Sequence, residues 1–152
     1  MQIRPAMLDD PQVRALLARH LAGMHENSPP EAVFALDLSG LQSPDITLLS
    51  VWDGDALMSI GALKEHGPHL AEVKSMRTAD AHLRKGAAAA LLDHLIALAG
   101  TRGYRRLSLE TGSGDAFEPA LALYRRRGFV NGPAFGDYVG SEFNQFLHLD
   151  LI

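Results

Sequence analysis

The chain has 152 residues, 47% hydrophobic and 21% charged, a balance that specifies a globular core and argues against a disordered chain. Its formal net charge of -4, with no block of five or more like charges, lacks the electrostatic footprint of a nucleic-acid binder. Cysteine is absent, which excludes disulfides, thiolate metal sites and cysteine nucleophiles together.

A short first strand is expected near Gln2 to Arg4, ended by Pro5. Asp9 or Asp10 then caps a helix whose apolar face is Val13, Leu16, Leu17, His20, Leu21 and Met24. Ser28-Pro29-Pro30 breaks it. The stretch from Glu31 to Asp45 carries no clear period and reads as a short helix and a loop. Ile46 to Trp52 and Ala56 to Lys64 form a hairpin about Asp53-Gly54-Asp55. After the turn at His66-Gly67-Pro68 comes a fourth strand, Leu70 to Thr78, whose Glu72, Lys74 and Ser75 point to a face that meets something other than core. A helix with the stripe Ala88, Leu91, Leu92, Leu95, Ile96 and Ala99 follows, and Gly100 and Gly103 can end it. Tyr104 to Thr111 is a strand. Asp115-Ala116-Phe117-Glu118 has the pattern of a capping box opening a helix that stops at Gly128. A last strand is expected over Phe143 to Leu151. No apolar run approaches membrane-spanning length and the first residues lack a signal-peptide pattern, so a cytoplasmic protein with no membrane partner is expected. The whole chain, 1–152, reads as one domain.

The most informative stretch runs from the fourth strand through Arg84-Lys85-Gly86-Ala87-Ala88-Ala89-Ala90 into a helix. A helix start exposes unpaired amides and about half a positive charge, so it holds an anion if no side chain blocks it. Gly86 and the alanines leave it unblocked, and Arg84 and Lys85 add charge; close packing is the other use of such residues. Neither the P-loop nor the dinucleotide fingerprint is present. No third ligand stands at useful spacing from His66 and His69, so no metal site is expected.

Here the sequence resembles the GNAT superfamily of acyltransferases. Leu83-Arg84-Lys85-Gly86-Ala87-Ala88 is similar to the family's pyrophosphate loop, departing at Leu83, where the family has Gln or Arg. Leu107 to Ser113 resembles its fifth strand, and Ala122-Leu123-Tyr124-Arg125-Arg126-Arg127-Gly128-Phe129 its closing helix motif. Together with Lys74 to Thr78 these residues also resemble a bacterial acetyltransferase subgroup.

The resemblance implies a mixed, mostly antiparallel α/β sheet with a splay between strands four and five and helices on both faces. It implies acetyl-CoA as co-substrate, its pantetheine pairing with backbone near Met76, Arg77 and Thr78, and its diphosphate on the amides of Arg84, Lys85, Gly86, Ala87, Ala88 and Ala89. The acceptor it implies is the amine of a small molecule. A non-catalytic acyl-CoA-binding module, or transfer to a hydroxyl or a protein amine, stays open at this point.

An amine with a pKa near 10.4 is neutral in about one molecule in two thousand at pH 7, so the reaction needs a base. The resemblance makes Glu72 the first candidate, since a glutamate on this strand often serves that role in the family; Glu110, near the end of the fifth strand, is the second, with the alternative that it is bonded to the Gly112-Ser113-Gly114 turn. His20 and His25 could line the acceptor side. Tyr124 matches the family tyrosine that protonates the departing sulfur. Phe34, Phe135, Tyr138 and Phe143 suggest a partly apolar acceptor, and the acidic surface favours a cationic one. The resemblance also implies a homodimer through the last strand and the Phe135 to Asn144 region.

Overall fold

The computed structural model describes residues 1–151. Seven strands form one sheet in the order β1-β2-β3-β4-β5-β7-β6. They are β1 (Gln2–Pro5), β2 (Ile46–Asp53), β3 (Ala56–Glu65), β4 (Leu70–Thr78), β5 (Arg106–Thr111), β6 (Val130–Asn131) and β7 (Gln145–Asp150). Every neighbouring pair is antiparallel except β4 and β5. The helices are α1 (Pro11–Asn27), α2 (Leu38–Leu41), α3 (Ala87–Thr101) and α4 (Glu118–Arg126).

Strand alternation divides the core in two. Val51, Leu63, Val73, Leu107, Leu109 and Leu147 point to one face, where Leu91, Leu92 and Leu95 of α3 and Leu121 of α4 cover them. Leu48, Ile60 and Ala62 point to the other face, beneath Val13, Leu16 and Leu17 of α1. Each fully buried leucine contributes about 1.5–3 kcal/mol, so the two layers fix the sheet between the helices. Asp10 caps α1, its carboxylate accepting from the amides of Gln12 and Val13. The β2–β3 hairpin closes through Gly54, at φ 56°.

Three expectations need correction. The turn at Asp115–Phe117 is 3₁₀, and Asp115 makes no capping bond; α4 begins at Glu118 with Pro119 in its first turn. The strand expected from Tyr104 begins at Arg106, and the one expected over 143–151 is confined to Gln145–Asp150. A two-residue strand, β6, was not expected; it adds to the outer side of β7. Among the described residues no helix is long and apolar enough to cross a membrane.

Candidate active site

The parallel pairing of β4 with β5 is short: Leu70, Ala71 and Glu72 stand opposite Arg106, Leu107 and Ser108, and pairing ends there. The cause lies on the other side of β4. Ile60 pairs with Arg77 but Ala62 pairs with Lys74, so Ser75 and Met76 together face Gly61. This two-against-one bulge bends β4, and Ser75 takes the left-handed conformation, φ 57°, that such a bend requires. Met76 Sδ occupies the place a side chain on Gly61 would need, so a larger residue there would push the bulge back. Beyond the bend, Arg77 O accepts from Ser59 Oγ at 3.0 Å and the Ala79 amide donates to Met58 O at 2.8 Å, both toward β3. Strand alternation turns the backbone of Thr78 the opposite way, toward the gap beside β5. The gap therefore has an inner edge of polar backbone.

At the end of the gap stands α3. Its N-cap is Gly86 at φ 84°, and no side chain caps the helix. A Cβ on Gly86 would meet only Met1 Cε, at 3.9 Å. The first-turn amides of Ala87, Ala88 and Ala89 thus face an open approach, with exposed Arg84 and Lys85 just before them. Arg84 itself has φ 63°, so two of the three residues leading into the helix, Arg84 and Gly86, take the left-handed conformation.

On the α1 face of the sheet, β4 and β5 present Glu72, Lys74 and Glu110. Glu72 is only 1% exposed. His66 Nε2 donates to its Oε1 at 2.7 Å, while the Tyr138 hydroxyl and Lys74 Nζ donate to Oε2 at 2.6 and 3.2 Å. Burial alone would raise this carboxyl, but the His66 bond, the Lys74 ammonium and the Tyr138 bond hold it below the ordinary value. Lys74 Nζ also reaches the Tyr138 hydroxyl at 2.6 Å and Phe34 O at 3.4 Å. The Glu72 carboxylate is fully engaged. The same contacts fasten the segment before β7: Phe135 packs edge-on against His66, Tyr138, Phe146 and His148, and His148 Nε2 donates to Pro133 O at 2.7 Å. Phe135 is therefore an inward anchor, and Val139, at 79%, is the exposed apolar residue of that stretch.

Glu110 lies two residues past the last β4–β5 pair, and among the described residues its carboxyl has no hydrogen-bond partner. The Gly112-Ser113 turn that might have bonded it is bonded instead by Gln145 Nε2. Burial, opposed by Lys74 and reinforced by Glu72, raises its pKa from 4.5 to about 7. A carboxyl so tuned accepts a proton near neutral pH. Tyr124, on α4, is buried and packs edge-on against Phe129 with ring centroids 5.8 Å apart. Its hydroxyl has no partner among the described residues, and burial pushes its pKa up to about 12, so it stays protonated. His20 does not face the acceptor side freely: Arg77 Nε donates to its Nδ1 at 3.1 Å, and burial with the Arg77 charge lowers its pKa to about 4. His25 is exposed. Among the described residues no group of acidic or histidine side chains is placed to hold a metal ion.

Sequence reasoning missed the roles of His66 and Lys74. The charged pair Glu72 and Lys74, two apart on one face of a strand, was the available signal for an ion pair, and glycine inside β3 was the signal for the bulge.

A split parallel pair with a free backbone edge, ending at an uncapped helix start, is the architecture of an acyl-CoA-dependent acyltransferase. Residues 12–129 match the model of the acetyltransferase (GNAT) family. The chain belongs to that family and is an acetyltransferase. It is 49% identical over 138 residues to Bacillus subtilis (strain 168) YsnE, named an uncharacterized N-acetyltransferase, covering 91% of each chain. Among solved structures it resembles a Klebsiella pneumoniae protein assigned to the acyl-CoA N-acyltransferases, with TM-score 0.82 and 26% identity over 99% of this chain and 97% of that one. It also shares its fold with a GNAT family acetyltransferase from Elizabethkingia anophelis that has acetyl-CoA bound, with TM-score 0.70, 17% identity, and coverage of 98% and 97%.

Proposed function

We propose that this protein transfers an acetyl group from acetyl-CoA directly to the amine of a small molecule. The observation that carries the reading is Glu110: a carboxyl without a partner, beside the split in the sheet, with its pKa raised to about 7.

The open start of α3 and the polar edge of β4 fit a diphosphate followed by an amide-bearing arm, so the amides of Gly86 to Ala89 would hold the former and the backbone of Met76 to Thr78 the latter. Bound there, acetyl-CoA supplies an activated thioester. Glu110, as carboxylate, takes the proton of the incoming ammonium and leaves a neutral amine. The neutral amine then bonds to the thioester carbon and the carbon–sulfur bond breaks. Tyr124, kept protonated, donates its hydroxyl hydrogen to the departing sulfur, and the proton released by the new amide nitrogen restores the tyrosine. Glu72 serves as a fixed anchor for Lys74, Tyr138 and His66, and its charge helps keep Glu110 basic. Holding the amine against the carbonyl contributes roughly 7–11 kcal/mol in well-oriented systems.

The test is free-thiol release from acetyl-CoA with a panel of amines and alcohols, with mass analysis of the product. Acetylated amine at a rate above the protein-free background supports the reading. Binding without transfer to any acceptor, or transfer to alcohols alone, refutes it.

A further inference from the structure

Two residues beyond the last β4–β5 pair, Lys74 and Glu110 stand on the same face of the sheet, one on each side of the split. The bulge in β4 begins only at Ser75, so the alternation that places Lys74 there is undisturbed. Opposite charges so placed attract, and the Lys74 charge does reach Glu110. Yet among the described residues no ion pair joins them. The Lys74 side chain is 8% exposed, so its ammonium hydrogens must find acceptors within the protein. It finds them away from the split: the Tyr138 hydroxyl at 2.6 Å, Glu72 Oε2 at 3.2 Å and Phe34 O at 3.4 Å.

Tyr138 closes this arrangement. Its hydroxyl accepts from Lys74 and donates to the same Glu72 oxygen at 2.6 Å, while Phe34 and Phe135 hold its ring edge-on, each at 5.1 Å. Glu72 cannot follow the ammonium, because His66 grips its other oxygen at 2.7 Å. The remaining titratable groups of this face are also engaged: His20 of α1 is bonded by Arg77, and His148 of β7 by Ser108 and Pro133 O. Without the Tyr138 hydroxyl, a buried ammonium hydrogen loses its acceptor, and the carboxyl left without a partner lies across the split. An ammonium resting on Glu110 would keep it ionised and strip it of the proton affinity that a base needs. Resting on the base role proposed above for Glu110, we infer that Tyr138 is a positioning residue for the reaction: it holds the Lys74 ammonium on Glu72 and so keeps that cation from pairing with the base.

The experiment titrates the Glu110 carboxyl by NMR in protein carrying ¹³C-labelled glutamate, with Glu110→Gln to assign the signal, and compares the native protein with Tyr138→Phe and with Tyr138→Phe, Lys74→Met. The midpoint is read from folded molecules, whatever fraction of a variant folds. In Tyr138→Phe, Glu110 should bind its proton about tenfold more weakly, the lower end of what an adjacent opposite charge does. The acid limb of kcat/KM for the best amine acceptor should move to lower pH by the same factor, and the plateau should fall. Adding Lys74→Met removes the cation and should return the midpoint to the native value or above it, a reversal that a merely structural role of Tyr138 does not produce. A Glu110 midpoint unmoved in Tyr138→Phe, or lowered equally with and without Lys74, would overturn the inference and leave Glu110 as the base. A midpoint that moves as expected while the acid limb stays in place would overturn the base reading, and the positioning role with it.

Discussion

Replacing Glu110 by glutamine keeps the shape of the side chain and removes its titration, and the structure sets two opposing consequences. As the base, Glu110 must be ionised, so in the native enzyme kcat/KM should rise with pH to a plateau above about 7, and be lower by about tenfold at pH 6. Glu110→Gln should lose this limb and about 10²–10⁴-fold in rate. Stability moves the other way. A carboxyl whose pKa is 4.5 unfolded and about 7 folded binds its proton more tightly in the native state. Its contribution to folding is fully present below pH 4.5, declines between 4.5 and 7, and is lost above. At about 1.4 kcal/mol per unit the difference is ~3 kcal/mol, reduced toward ~2 kcal/mol by solvent screening of a partly exposed charge. The glutamine variant should therefore be more stable than the native protein at pH 8 by about 2 kcal/mol, with the gap closing toward pH 4.5. Urea unfolding at both pH values and a pH–rate profile with acetyl-CoA in excess measure the two effects. A variant that keeps the acid limb, or one with native turnover, would remove Glu110 from the chemistry.

Tyr124→Phe should lower turnover by about 10²-fold while acetyl-CoA affinity is kept, since only the proton donor is lost; because the hydroxyl has no partner among the described residues, thermal stability should be unchanged or slightly raised. Gly86→Glu should abolish acetyl-CoA binding in calorimetry by placing a carboxylate at the helix start, whereas Gly86→Ala should bind more weakly and cost about 1–2 kcal/mol for the left-handed backbone; full affinity in the glutamate variant would move the diphosphate elsewhere. Tyr138→Phe withdraws a donor from buried Glu72 and should cost about 1–3 kcal/mol, with faster hydrogen exchange over 133–144; unchanged exchange would show that the aromatic packing of Phe135 alone holds that segment.

The parts of this site legible in the sequence are those encoded locally. Gly86 and the alanines after it announce an unblocked helix start, and the strand periods of 46–78 fix the hairpin and the strand beside it. The split between β4 and β5 is different, because it depends on register. Nothing in Ser75 signals a left-handed residue, and the only nearby sign is Gly61, on another strand. The roles of the two glutamates were also out of reach. Both sit on the same face of adjacent strands, yet Glu72 is bonded by His66 and by Tyr138, 66 residues away, while Glu110 has no partner among the described residues. That difference arises from how the segment before β7 returns over the sheet, which no local pattern records. The expected capping box at Asp115 failed for a related reason: Gly114, at φ 113°, leads into a tighter 3₁₀ turn that leaves the aspartate carboxylate out of reach of the helix amides.

The bulge gives β4 something usually confined to the rim of a sheet, an unpaired edge, but it lies in the interior of the strand order. Exposed edges invite other polypeptides to add as strands. This one is flanked on both faces. Past Glu72 and Ser108 the two strands no longer pair, and α3 and α4 cover one face of the sheet while Lys74 and Glu110 lie on the other. A polypeptide adding there as a strand would have to fit side chains above and below the sheet, against those residues. A thin chain carrying amides and few side groups meets less of that obstacle, so the geometry that would admit an acyl carrier disfavours an added polypeptide strand.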